Sequence, residues 1–130
     1  RTEIVIVNRT FEKAQALADA FVAMGNIRAM KFEELSDSYD VIVNGTSASL
    51  SGDLPPIPDT VINESTVVYD MMYGKEPTPF MDWATRLDAR QAIDGLGMLV
   101  EQAAVSFSVW RSIKPNGQVV LADLRDQLSK

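Results

Sequence analysis

Neither cysteine nor histidine occurs among the 130 residues. Disulfides, thiolate catalysis and zinc sites with Cys or His ligands are therefore excluded, and so is any Ser-His-Asp triad. No apolar run reaches the roughly 18 residues needed to span a bilayer, and no signal-peptide pattern opens the sequence. A reducing, cytoplasmic setting is the expectation. Positive charge is also scarce: 12 Lys and Arg against 18 Asp and Glu leave a net charge of −6. A phosphate backbone prefers a basic surface, which argues against a nucleic-acid partner but not against a small phosphorylated ligand held by a local basic spot. No carboxylate pair stands out as a glycosidase or metal site, so no metal is expected. There is no internal repeat and no low-complexity tract. The N-x-S/T sequons at Asn8, Asn44 and Asn63 read as chance matches or turns in a chain without secretory features.

What is present is an ordinary globular composition, 46% hydrophobic and 23% charged, long enough for a real core. Apolar β-favouring runs at 3–7, 27–30, 41–43, 66–69 and 90–93 predict strands. Helices are predicted over 11–24, with Ala14, Leu17, Ala18, Phe21 and Val22 on one face and a Gly25-Asn26 stop, and over 79–87, 97–112 and 117–129. An acidic helical turn is read at Phe32–Leu35. Strands alternating with helices predict an α/β fold, a Rossmann-like doubly wound parallel sheet. Polar loops at 8–10, 44–52 and 70–75 follow strands directly, and ligands in such folds bind at the carboxyl ends of strands. The three loops are therefore expected to converge on one ligand-binding edge.

The run Ile4-Val5-Ile6-Val7-Asn8-Arg9-Thr10-Phe11-Glu12-Lys13 carries the sharpest chemical signal. In a nucleotide-binding βαβ unit the end of the second strand faces the adenosine ribose, where an acidic residue would bind the 2′-hydroxyl of NAD. Arg9 and Lys13 instead put two cations beside free helix N–H groups, which suits a 2′-phosphate. The same residues would serve equally as the solvated start of a surface helix. Asp94-Gly95-Leu96-Gly97 imitates the dinucleotide fingerprint, but Val100 stands where a third glycine belongs. Its glycines fit better as places where backbone comes close to a flat ligand. The helix after it is apolar nearly all round, which predicts burial on several sides. Gln102 then lies either on a thin solvent stripe or facing a pocket. No Tyr-x-x-x-Lys pair exists. Asp70 is expected to cap or bond its loop, since a general base would need a raised pKa.

Taken together, Val7-Asn8-Arg9-Thr10-x-x-Lys13-Ala14, Val43-Asn44-Gly45-Thr46-Ser47, Ser51-Gly52-Asp53-Leu54-Pro55, Tyr69-Asp70-Met71-Met72-Tyr73 and Asp94-Gly95-Leu96-Gly97-Met98-Leu99-Val100-x-Gln102-Ala103-Ala104 resemble the nucleotide-binding half of the shikimate dehydrogenases. They stand in the family's order and spacing over essentially the whole chain. The resemblance implies NADP-dependent, reversible reduction of 3-dehydroshikimate to shikimate in aromatic amino-acid (chorismate) biosynthesis. It implies that Asn8, Arg9, Thr10 and Lys13 hold the adenosine 2′-phosphate, that Thr46 and Ser47 lie beside the cofactor, and that Met71 and Gly95 stand at the nicotinamide end. Tyr73 and Gln102 correspond to positions that touch shikimate. Lys13 replaces an Arg of many relatives, keeping the charge but losing the bidentate fork. Gly45 replaces a frequent Ala.

The departures matter as much. The family's separate substrate domain, with its catalytic Lys and Asp, has no counterpart here, so no catalytic residue is assigned in this chain. The first Rossmann strand and its GxGGA turn, which would cradle the pyrophosphate, are also absent. The chain is therefore expected to be a fragment or ordered remainder of a larger protein, inactive by itself. Residues 1–96 would be a partial NADP-binding domain and 97–130 C-terminal helices that pack back toward the substrate domain. The strands at 3–7 and 41–43 would each have an unpaired edge. A homodimer is compatible with this reading. A non-catalytic nucleotide-binding module and a quinate/shikimate dehydrogenase variant are the alternatives.

Overall fold

The computed structural model describes residues 2–130, the side chains at 49 and 50 excepted. Contacts divide the chain into two compact units: the chain up to Ser38 with Pro56–Val61, and Tyr39–Pro55 with Ile62–Lys130.

The first unit is a βαβ element. Strand β1 (Glu3–Val7) pairs parallel to β2 (Asn26–Met30), with Val7 opposite Met30. Helix α1 (Phe11–Phe21) connects them and ends in a 3₁₀ turn over Val22–Met24. It buries Ala14 and Ala18, four residues apart and small enough to let helix and ribbon approach closely. Leu17 and Phe21 stay 48% and 45% exposed, because two strands are narrower than the five-residue face that the periodicity predicts. Gly25 does not supply a left-handed cap: its φ is 172°, extended, and Asn26 already belongs to β2. The acidic turn is a 3₁₀ turn, Phe32–Glu34, that buries Phe32.

The second unit holds a three-stranded parallel sheet of order β3–β4–β5, made of Val41–Asn44, Val67–Asp70 and Gln91–Ile93. Central β4 buries Val68 and Asp70 completely. Helix α2 (Pro79–Arg86) starts from Thr78, whose hydroxyl accepts the Met81 N–H at 3.3 Å, with Pro79 in its first turn. Its Phe80, Trp83 and Ala84 form the buried face, and the two rings are 5.6 Å apart. Helix α3 (Leu96–Arg111) buries Leu96, Val100 and Ala104, four residues apart. It runs to Ser112 in the left-handed conformation, and α4 (Gly117–Ser129) packs against it. The expected burial of α3 on several sides is not met: Val105, Val109 and Trp110 are 56%, 74% and 79% exposed. Within this unit the stripe of Leu96, Val100 and Ala104 is covered, and α4 is the helix packed against α3. The loop read as structureless at 44–52 contains a 3₁₀ turn over Ala48–Ser51.

Among the described residues β1 pairs only with β2, and β3 only with β4. Each keeps one edge without a strand, and Ile4, Val41 and Val43 are at least half exposed there. No helix among the described residues is long and apolar enough to cross a membrane.

Because Phe80 is fully buried and Phe21 is 45% exposed, Phe80→Ala should cost about 3–5 kcal/mol and Phe21→Ala less than about 1 kcal/mol. Urea unfolding followed by far-ultraviolet circular dichroism, which reports the helices of both units, reads both. Equal losses would contradict this core assignment.

Candidate functional site

In the first unit the candidate residues cluster where β1 meets α1. Asn8 Oδ1 accepts the Thr10 N–H at 2.9 Å, and the Thr10 carbonyl accepts the Lys13 N–H at 3.0 Å. This Asx-type turn holds Thr10 extended at the N-cap, yet its hydroxyl makes no hydrogen bond into the helix. The first turn of α1 thus lacks a side-chain cap and presents N–H groups and the positive end of the helix dipole. Arg9 and Lys13 are exposed. Among the described residues neither is in an ion pair, whereas Arg28 on β2 meets Glu3 at 2.7 Å. The arrangement offers hydrogen-bond donors and two uncompensated cations to an anion.

In the second unit the strand ends are tied by buried polar groups. The Asp70 carboxylate, fully buried, accepts the Thr78 hydroxyl at 2.6 Å, the Met72 N–H at 3.0 Å and the Asn44 amide at 3.4 Å. Asn44 in turn accepts from the Thr46 N–H at 3.1 Å and the Thr46 hydroxyl at 2.8 Å. The Met71 N–H donates to the Asn44 carbonyl, and the Gly95 N–H to the Met72 carbonyl, both at 3.0 Å. Gly95 permits this approach: a Cβ there would lie 2.0 Å from the Met71 carbonyl oxygen. Thr46, Met71 and Gly95 are therefore brought to one place, with Gly45 alongside, where an added Cβ would meet only the Met71 sulfur at 3.4 Å. This close approach is between two turns of the protein's own backbone.

Asp94, beside Gly95, accepts the Leu96 N–H at 3.1 Å and is held bidentately by Arg125 of α4, Nη1 at 2.6 Å from Oδ2 and Nη2 on Oδ1. Burial raises the Asp94 pKa, but the hydrogen bonds from Arg125 and Leu96 and the guanidinium charge outweigh it, so the carboxyl lies below its ordinary value. The same bonds raise Arg125 above its ordinary value, against the desolvation that lowers it.

Ser47, Tyr73 and Gln102 are exposed, and among the described residues Tyr73 and Gln102 make no side-chain hydrogen bond. Tyr73 follows Met71 by two residues, while Gln102 lies seven residues beyond Gly95 on α3. Loop 8–10 belongs to the first unit and loops 44–52 and 70–75 to the second. The sequence reading missed Asn44, Thr78 and Arg125 as organisers. Asn44 belongs to the Val43-Asn44-Gly45-Thr46-Ser47 motif, but Arg125 is 31 residues from Asp94, a separation that no spacing rule reports.

Parallel strands crossed over by helices, with polar turns at the strands' carboxyl ends, define a Rossmann-like α/β protein. Residues 1–53 match the family model described as shikimate/quinate 5-dehydrogenase, and residues 95–125 match that of the shikimate 5′-dehydrogenase C-terminal domain. The NADP(+) shikimate dehydrogenase of Aeromonas salmonicida is 52% identical over 98% of this chain, and that of Saccharophagus degradans 55% over 95%. The chain covers 46% and 47% of those proteins, about half their length. Among solved structures, an Ael1 enzyme from Pseudomonas putida superposes with a TM-score of 0.83 at 42% identity, covering 98% of this chain and 46% of that one. A shikimate dehydrogenase in complex with NADP+ gives 0.79 at 30%, covering 98% and 47%. That of Thermus thermophilus, with NADP(H) and shikimate, gives 0.80 at 28%, covering 97% and 46%. The chain belongs to the shikimate dehydrogenase family.

Arg125→Met leaves Asp94 buried without its countercharge and should cost about 1–2 kcal/mol at neutral pH, a modest figure because Arg125 is half exposed. A depressed carboxyl pKa contributes stability that is present above the ordinary carboxylate range and lost as pH falls through the lowered value. Native and variant stabilities, measured by urea unfolding across acid pH, should therefore converge below that range. A gap that persists there would show that the pair's charge is not the source. Gly95→Ala should cost more than about 2 kcal/mol through its clash with Met71, read in the same assay.

Proposed function

We propose that this chain is the coenzyme-binding part of an NADP-dependent shikimate dehydrogenase. That enzyme reversibly reduces 3-dehydroshikimate to shikimate in aromatic amino-acid biosynthesis, in the cytoplasm. The observation that carries the reading is the pair of unpaired cations, Arg9 and Lys13, at the end of β1 beside an uncapped helix start. Adenosine ribose bearing a 2′-hydroxyl alone would call for a carboxylate at this strand end; a 2′-phosphate calls for this charge. The names of the relatives, NADP(+) shikimate dehydrogenases, point the same way.

In this reading Asn8 shapes the turn, while Arg9, Thr10 and Lys13 hold the 2′-phosphate. Thr46 and Ser47 line the coenzyme, and Met71 and Gly95 support the nicotinamide end. Tyr73 and Gln102 orient the ring carrying the reacting carbon. NADPH, when bound, supplies the hydride. The proton needs a separate donor, which the resemblance places in a substrate domain outside this chain. Residues 1–96 carry the coenzyme side, and the apolar surface of 97–130, including Phe107 and Trp110, packs toward that substrate domain. The complete enzyme takes shikimate as its small-molecule partner and is compatible with a homodimer. Quinate is the competing substrate, because the family model over residues 1–53 spans both activities.

In the full-length protein, Arg9→Asp should raise the NADP Michaelis constant roughly a hundredfold, equivalent to about 3 kcal/mol of lost charge-assisted binding. Steady-state shikimate oxidation measures it. An unchanged constant would refute the ribose-phosphate assignment. Parallel rates with quinate decide the substrate.

A further inference from the structure

The parallel register of β1 and β2 sets Val7 opposite Met30. The residues that follow, Asn8 and Lys31, therefore leave the sheet side by side at the same end. Lys31 then turns toward α1: its Nζ lies 5.8 Å from the centroid of the Phe11 ring, and Phe11 is the first residue of that helix. A cation over an aromatic face is held there by the ring quadrupole, so a side chain that is otherwise mobile has a preferred resting place. That place adjoins the Thr10 N-cap, whose hydroxyl makes no hydrogen bond into the helix. Of the two acids in the turn that follows, Glu33 and Glu34, the latter's Oε2 accepts the Lys31 backbone N–H at 2.8 Å. Among the described residues no carboxylate forms an ion pair with Arg9, Lys13 or Lys31. Three cations from two elements thus stand at one end of the first unit outside any ion pair, with Glu12 the acid in the first turn of α1, in a protein whose net charge is −6.

We propose that Lys31, resting on Phe11, is a third cation of the coenzyme's 2′-phosphate clamp and a determinant of the preference for NADP over NAD. This rests on the NADP reading above. A lysine there interacts with a phosphate dianion at long reach, gains nothing from a 2′-hydroxyl, and so acts on one coenzyme and not on the other.

The test is kcat/KM for NADP and for NAD, with the dissociation constant of each coenzyme by calorimetry beside it, in the full-length protein, for Lys31→Ala, Lys31→Arg and Arg9→Asp, at low and high salt. Lys31→Ala should lower the NADP value roughly three- to tenfold, through KM, with the loss falling on NADP and not on NAD. Lys31→Arg should restore it, and salt should shrink the difference. If Lys31→Ala affects both coenzymes equally, or neither, while Arg9→Asp abolishes the NADP preference, the role of Lys31 is refuted and the NADP reading stands. If Arg9→Asp also leaves the preference unchanged, the reading fails and the inference with it.

Discussion

The second unit depends on one buried carboxylate. Asp70 ends the central strand with no solvent exposure and gathers donors from three directions. Through Thr78 it sets the start of α2, through Asn44 it shapes the Thr46 turn, and through Met72 it fixes the backbone that Gly95 touches. A carboxylate out of water is costly unless it is fully hydrogen-bonded. The satisfied arrangement is therefore specific: slipping any of the attached segments would leave buried polar atoms unpaired. The sheet's carboxyl-end turns are held by this polar network as well as by their backbones.

The two strand-end regions use opposite electrostatics. Around Asp70 the buried polar side-chain atoms among the described residues are all matched, and Arg125 closes the next turn by neutralising Asp94. Around Arg9 little is matched: an uncapped helix start and exposed cations face solvent. A satisfied network gives rigidity, and an unsatisfied one gives affinity for something outside the protein.

Much of this was legible in the residues. The strands, the Pro79 start of α2 and the alternation that defines the fold follow from apolar runs and Pro placement, which act locally. The Asn-Arg-Thr turn was legible because its hydrogen bonds span only two and three residues. Less legible was how much apolar surface each unit could cover. Periodicity marks the face of α1 and the roundness of α3, but the available partners decide burial, and Phe21 and Trp110 remain largely exposed.

The sequence by itself determined the type of elements, the parallel α/β class and the cationic character of the first strand end, because these are properties of neighbours along the chain. Only the tertiary structure decided that Arg125 belongs to Asp94, that Lys31 lies over Phe11 and that Gly95 is needed against Met71. Those contacts join residues 20 or more positions apart. Their partners are chosen by strand register and helix packing, which no local pattern encodes.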